Sequence, residues 1–541
     1  MTRAGPGQPT APTRLPPQPA AGGADAWRML RQKHAVRAVG AATVVAVALV
    51  IVWLVLPLMG TDLSAQVERA QFFARHGLRP IDFGWYGGTN QFGYSLVSPA
   101  VMATIGVRLT GALAAVGAAM AFAAILARTG ARRPVLGGVV GAVCITANLA
   151  SGRITYALGL AFGLAGILAL TDRNPRRRLI LASIATLLAS STSPVAGLFV
   201  GLAGATLLLT GRRREGLVLG ISAVLPILVV SGLFGEGGWM NISRADAVHA
   251  VVLSLVVLLL VPHRVVRVGA ALSAVGVLAA FAIHTPVGLN AIRLAVMFAV
   301  PLIVALARGR LVVIAVIGAL LVWWQPPVMT GDLRDDGNPT ASAAYYTPLL
   351  TELDRLPPAG RVEIPPTRDY WEADYVAAQV PIGRGWLRQI DIDRDPLFFD
   401  GPVSADAYRH WLDINGVSYV ALSDATPSWV GTSEAAVIRG RPGFLHPLWH
   451  DQHWTLYSVL GAPGMVDPPA KLRAATQTGV TVSVGRPGLI NLRVRFSRWL
   501  TVDHAGACIE PGSHWSVLKV TTPGTYQVSS RLQFGQPERC P

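Results

Sequence analysis

TDLSAQVERAQFFARHGLRPIDFGWYGGTNQFGYSLVSPAVMATIG, residues 61–106, lies between two strongly apolar runs and resembles neither. From its start the apolar positions Leu63, Val67, Ala70, Phe73 and Ala74 fall at helical spacing, with Ser64, Glu68, Arg69 and Arg75 elsewhere. That spacing predicts an amphipathic helix lying along a membrane surface. Asp62 stands at the head of this helix, immediately after the first apolar run. A segment dense in Gly, Trp and Tyr follows, then Pro99 and a short apolar stretch. A long, polar and aromatic loop held between rigid spans is where chemistry or recognition is expected.

The rest of the chain has the composition of a polytopic α-helical membrane protein. Of 541 residues, 52% are hydrophobic and only 14% charged, against about 25% charged in soluble domains. The mean hydropathy is +0.46. A net charge of +16 would suit a nucleic-acid binder in a soluble chain, but here the arginines form short clusters between apolar runs. They are topology signals, and no nucleic-acid partner is expected. Three cysteines exclude a disulfide scaffold or a Cys-based metal cluster.

Eleven apolar stretches are expected to span: Ala38–Met59, Ile105–Leu126, Pro134–Leu149, Tyr156–Leu170, Leu179–Ser190, Val195–Thr210, Leu217–Phe234, Ala247–Pro262, Val268–Ile283, Ala291–Ala307 and Leu311–Trp324. Residues 1–37, rich in Pro, Ala and Gly, read as a disordered cytoplasmic tail. The clusters Arg128/Arg132/Arg133, Arg173/Arg176–Arg178, Arg212–Arg214, His263/Arg264/Arg267 and Arg308/Arg310 occupy every second loop. By the positive-inside rule these loops and the N-terminus face the cytoplasm. Residues 38–324 then form the membrane domain, with the first outside loop at 60–104, and everything after Trp324 lies outside the cytoplasmic membrane. There, residues 325–462 read as an α/β domain: the linker GDLRDDGNPTAS, a helix at TPLLTELDRL, a strand at GRVEI, then helix and strand at AYRHWLDINGVSYVAL. Residues 463–541 read as a β-sandwich, with alternating segments TVSVG, LINLRVRFS, WSVLKV and TYQVSSRLQF. In an oxidising compartment Cys508 and Cys540 are expected to form a disulfide.

The order of these parts resembles the GT-C superfamily of integral membrane glycosyltransferases, which use polyprenyl-phosphate sugars. The resemblance rests on the first span, the acidic Asp62 just outside it, the surface helix, the aromatic and Pro-containing approach to the second span, the many spans and the outside C-terminal domain. It implies a catalytic role for Asp62. Many members carry two adjacent acidic residues, whereas Leu63 follows Asp62 here, so Glu68 and Asp82 are weighed as a second acidic contribution. The implied partners are a polyprenyl-phosphate-linked sugar donor, an envelope glycan or glycolipid acceptor, and membrane lipids. No cofactor is implied.

The chemistry requires a group that deprotonates an acceptor hydroxyl and positive groups that stabilise the departing phosphate. Asp62 is the candidate base, and the competing reading is that it only caps the surface helix. For the phosphate, Arg153, Arg244 and Arg293 lie at outside ends of spans. Arg293 stands inside an apolar run, where a charge is costly and usually functional unless it snorkels to the headgroups. Asn290 shares its helix face. Trp85 and Tyr86 are further substrate-binding candidates, and PIGRGWLRQIDID, with Arg384, Trp386 and Arg388, has the aromatic and cationic character of a sugar or headgroup site. His446, His450 and His453 lack a convincing ligand set, so no metal site is assigned. No P-loop, dinucleotide fingerprint or serine elbow occurs, which argues against a nucleotide-driven pump. The competing functions are a multi-pass transporter and a noncatalytic envelope-assembly scaffold. Carriers commonly have twelve spans in two halves, and proton-coupling carboxylates within the spans are missing.

Overall fold

Inside hydrocarbon the backbone must satisfy its own hydrogen bonds, so apolar stretches become helices. The computed structural model describes residues 21–328, 330–334, 337–533 and Cys540, without the side chains of residues 21–32. It begins with α1 (Ala21–Val55), α2 (Leu63–His76), the short strands β1 (Ile81–Asp82) and β2 (Thr89–Asn90), and α3 (Ser98–Ile105). The series α4 (Val107–Arg128), α5 (Pro134–Ala147), α6 (Ile154–Ala169), α7 (Pro175–Thr192), α8 (Pro194–Leu209), α9 (Arg213–Phe234), α10 (Arg244–Leu260), α11 (Arg264–Ala282), α12 (Arg293–Leu306) and α13 (Leu311–Trp324) follows. Each of the eleven apolar stretches thus coincides with a helix. Among the described residues six helices are long and apolar enough to cross a membrane: Lys33–Val55, Val107–Arg128, Pro134–Ser151, Arg213–Phe234, Arg264–Ala282 and Gly288–Leu306.

The helices approach closely through small residues: Ala42 and Ala46 of α1 pack on Ala119 and Ala123 of α4 and Ala142 of α5. The expected tail needs one correction. Helix α1 starts at Ala21, ahead of the apolar span Lys33–Val55, so residues 21–37 are helical rather than lacking structure. Once a helix is nucleated, good helix formers such as those of AWRMLRQK propagate it. Residues 1–20 lie outside the described residues.

Beyond α13 come α14 (Thr330–Arg334), α15 (Ala343–Arg355), β3 (Arg361–Glu363), α16 (Glu372–Tyr375), α17 (Arg388–Arg394), α18 (Ala405–Ile414), β4 (Val417–Ser423), α19 (Thr432–Arg439), β5 (Leu445–His450) and β6 (Trp454–Val459). The four strands form a mixed sheet in the order β3-β4-β6-β5, with β3 parallel to β4. Strands β7 (Ala470–Thr476), β8 (Gly479–Val484), β9 (Gly488–Leu492), β10 (Leu500–Val502), β11 (Ala507–Pro511), β12 (Ser516–Val520) and β13 (Gly524–Ser530) build two antiparallel sheets, β10-β13-β8-β7 and β11-β12-β9. Val480, Val482, Tyr526 and Val528 of the first share a core with Ile490, Leu492, Leu518 and Val520 of the second. Strand β7 was not visible as alternation, because AKLRAAT has few strand-favouring residues and is recruited by pairing with β8. A disulfide joins Cys508 to Cys540.

The first loop binds both C-terminal units to the membrane helices. Ile81, Phe83 and Phe92 enter the core of the sandwich together with Phe234 at the end of α9. Helix α2 departs from the expected water-facing arrangement of its polar side. Ser64, Gln66, Glu68 and Arg69 are buried, while Val67, Phe73 and Ala74 are less covered. The C-terminal domains cover the polar face: Ser64 Oγ donates to the Asp369 carbonyl at 2.7 Å, and Gln477 Nε2 donates to Glu68 Oε1 at 3.2 Å.

Candidate active site

Two glycines let the chain leaving α1 touch the turn between α5 and α6 backbone to backbone. Gly60 (φ +99°) faces the main chain of Ala150 and Ser151, and Gly152 (φ +72°) faces that of Leu63, so a Cβ at either would collide with backbone. The Asp62 N–H donates to the Ser151 carbonyl at 3.2 Å. Asp62 is thereby brought opposite Arg153, the residue preceding α6. From the far side comes Arg293, the first residue of α12, behind a 3₁₀ turn at Gly288–Ile292.

Asp62 Oδ2 lies 3.2 Å from Arg153 Nε and 3.9 Å from Arg293 Nη2, and none of the three side chains is more than 17% exposed. At that burial the attraction is much stronger than for surface pairs. The Arg293 guanidinium also stands 5.1 Å from the centre of the Tyr156 ring. Asp62 does occupy the N-cap position of α2, yet its side chain makes no capping hydrogen bond there. Its carboxylate is directed to the two arginines instead.

These groups line a cavity of about 380 Å³ at the seam between the membrane helices and the α/β domain. Asp62, Arg153, Asn290 and Arg293 all lie on its wall, together with Tyr94, Asp246, Tyr370, Trp386, Arg388 and Gln389. Trp386 is fixed by donating from Nε1 to the Thr61 carbonyl at 2.7 Å, and its ring meets Tyr94 edge-on at 5.7 Å. Burial, and then the charge of Asp62, push the Tyr94 phenol above its usual range, so it stays a neutral donor. Asp332 of α14 is 3% exposed beside this cluster. Burial raises its carboxyl pKa, a hydrogen bond with Ser151 opposes that, and Asp62 adds to it.

The other sequence candidates lie elsewhere. Arg244 is exposed at the head of α10 and does not line the cavity. Glu68, Asp82, Trp85 and Tyr86 are buried beneath the C-terminal domains and are also absent from the cavity wall. Arg69 lies 3.6 Å from both Glu68 and Asp82 and stacks on Trp85 at 4.4 Å. Burial pushes the Glu68 carboxyl well up, with Asp82 adding and Arg69 opposing; burial likewise raises Asp82 against the pull of Arg69. Trp85 Nε1 donates to the Ala373 carbonyl at 2.8 Å and Tyr86 Oη to the Gly385 carbonyl at 2.7 Å. These contacts fasten the loop to the α/β domain.

Within PIGRGWLRQIDID the residues diverge: Trp386 and Arg388 line the cavity, whereas Arg384 is buried against Asp391 and Glu434 at 2.8 and 3.1 Å. His446 and His450 lie on β5, and His453 pairs with Asp424 at 3.0 Å. Among the described residues no cluster of three or more His, Cys, Asp or Glu could hold a metal ion. Tyr94, Asp246, Asp332 and Tyr370 were missed by sequence reasoning. Asp332 sits in a segment that reads as a polar linker, and Tyr94 is one aromatic among several in its loop.

No family model matches the chain, and no curated protein matches it. Among solved structures it is similar to the cryo-EM structure of arabinofuranosyltransferase AftD from Mycobacteria, with 14% identity over 84% of this chain and 41% of that one, at a TM-score of 0.45. A mutant form of AftD is similar at 15% identity, covering 84% of this chain and 43% of its own, with a TM-score of 0.43. The chain spans about two fifths of the length of the chains it matches.

Proposed function

We propose that this protein is a membrane glycosyltransferase that moves a sugar from a polyprenyl-phosphate donor to an envelope glycan or glycolipid on the outer face of the cytoplasmic membrane. The observation that carries the reading is the Asp62 carboxylate, held by Arg153 and Arg293 on the wall of a cavity at the seam of the membrane helices and an outer domain. A sugar on a lipid phosphate already has a good leaving group. What remains is to take a proton from the acceptor hydroxyl and to stabilise the phosphate that departs. Asp62 serves as the base. Arg293 and Arg153 offer fixed positive charge to the phosphate, and Asn290 offers an amide on the same wall. Trp386 and Tyr94 supply aromatic faces of the kind that pack on sugar rings.

Membranes carrying the protein, given a panel of labelled polyprenyl-phosphate pentoses and hexoses, should transfer one label to endogenous acceptor. Absence of transfer from every donor, with folded protein present, would overturn the proposal.

A further inference from the structure

A second cavity, of about 550 Å³, lies between α4, α6 and α8 on one side and α10, α11 and α12 on the other. Its wall is almost wholly apolar, with Leu160, Leu164, Phe199, Ala203 and Phe298 among its members. Along α12 it reaches from Leu294 to Leu306, a length of about 18 Å at 1.5 Å per residue. That is close to one leaflet, half of the roughly 30 Å hydrocarbon core.

Only one end is charged. Arg212, His263 and Arg264 line it, at helix amino ends on the arginine-bearing side of the membrane helices. The amino end of α11 forms part of the same wall, through His263, Arg264, Val265 and Val266. The N-cap residue His263 makes no side-chain capping bond, and its Nδ1 is buried without a hydrogen-bond partner among the described residues. Helix amino ends attract anions because their first N–H groups lack partners in the helix. Arg212 is shared with Glu215 at 3.4 Å, so Arg264 and the helix end carry most of the positive field.

We propose that this cavity binds an anionic phospholipid from the leaflet on the arginine-bearing side, with its phosphate at the amino end of α11 against Arg264 and His263 and its acyl chains along α12. The combination of a leaflet-length apolar slot and a cationic end fits a diacyl lipid with a phosphate headgroup. It differs from the proposed active site in both location and lining, and the two cavities share only α10 and α12, through different residues of each.

The test is native mass spectrometry of delipidated full-length protein titrated with palmitoyl-oleoyl phosphatidylglycerol. Palmitoyl-oleoylglycerol serves as the same tails without the headgroup, inorganic phosphate as the phosphate alone, and a polyprenyl phosphate as the competing lipid. Phosphatidylglycerol should bind in a one-to-one complex and outcompete all three. Arg264→Gln, on an exposed side chain, should weaken it about fivefold. Ala203→Trp, which fills the slot, should abolish it. Equal binding of palmitoyl-oleoylglycerol, preference for the polyprenyl phosphate, or unchanged affinity in Arg264→Gln would each overturn the proposal. The exposed position of Arg264 keeps the test valid if Ala203→Trp fails to fold.

Discussion

Replacing Asp62 by Asn separates a chemical role from a structural one, because Asn keeps the size of the side chain and removes its charge. A capping role predicts almost no effect, since Asn caps helices about as well as Asp. The absence of any capping bond from Asp62 predicts the same for the helix itself. What the substitution does remove is the shared partner of Arg153 at 3.2 Å and Arg293 at 3.9 Å. Hydrogen bonds to charged groups contribute about 1.5–3 kcal/mol each when intact. The Arg293 contact is too long to count fully, and Asn still accepts from Arg153. A net loss of about 1–2 kcal/mol is therefore expected, a melting shift of a few degrees with expression preserved. Loss of a general base lowers the rate about a hundredfold to ten-thousandfold. The assay is initial-rate transfer from the labelled donor identified in the panel, run beside thermal melting of the same preparations. Asp62→Asn should melt nearly as the wild type while transferring near background. Full transferase activity in Asp62→Asn would refute the assignment of Asp62 as base.

Arg293→Gln should raise the KM for the lipid-phosphate donor about tenfold or more while changing kcat less, because a charged partner for the phosphate is lost and the base remains; an unchanged KM would remove Arg293 from the donor site. Burial raises the carboxyls of Glu372 and Asp374 to about 7, with Thr367 opposing at the former and Arg75 at the latter. Both are held protonated in the fold and ionise near 4 when unfolded, so stability is full on the acid side, falls as pH rises towards 7 and is flat above it. Melting should therefore be higher at pH 5 than at pH 8, and Asp374→Asn should narrow that gap; a higher melting point at pH 8 would contradict it. Cys508 and Cys540 should resist alkylation in intact protein until a reductant is added, and Cys508→Ser should destabilise the sandwich by about 2–4 kcal/mol in a melting assay.

Hydropathy and charge spacing alone located the helices, because a helix in hydrocarbon is a local solution that satisfies its own backbone. The acidic residue at the head of the first loop and the arginine inside the α12 run were legible for a related reason: each is a charge where charge is costly. The sandwich was legible through the alternation of β8 and β13, and β7 was not, because its strand state comes from its partner. Side-chain purpose within the loop was not legible either. Glu68, Asp82 and Asp62 are all acidic residues on one short segment, yet the first two are buried against Arg69 under the C-terminal domains and, of the three, only Asp62 reaches the cavity. Which carboxylate faces which arginine depends on the close backbone approach at Gly60 and Gly152 and on Trp386 reaching back to Thr61 from the α/β domain. Local periodicity reports which face of an element is apolar. Only the tertiary packing decides what covers the polar face, and in this loop that cover separates the structural carboxylates Glu68 and Asp82 from Asp62 on the cavity wall.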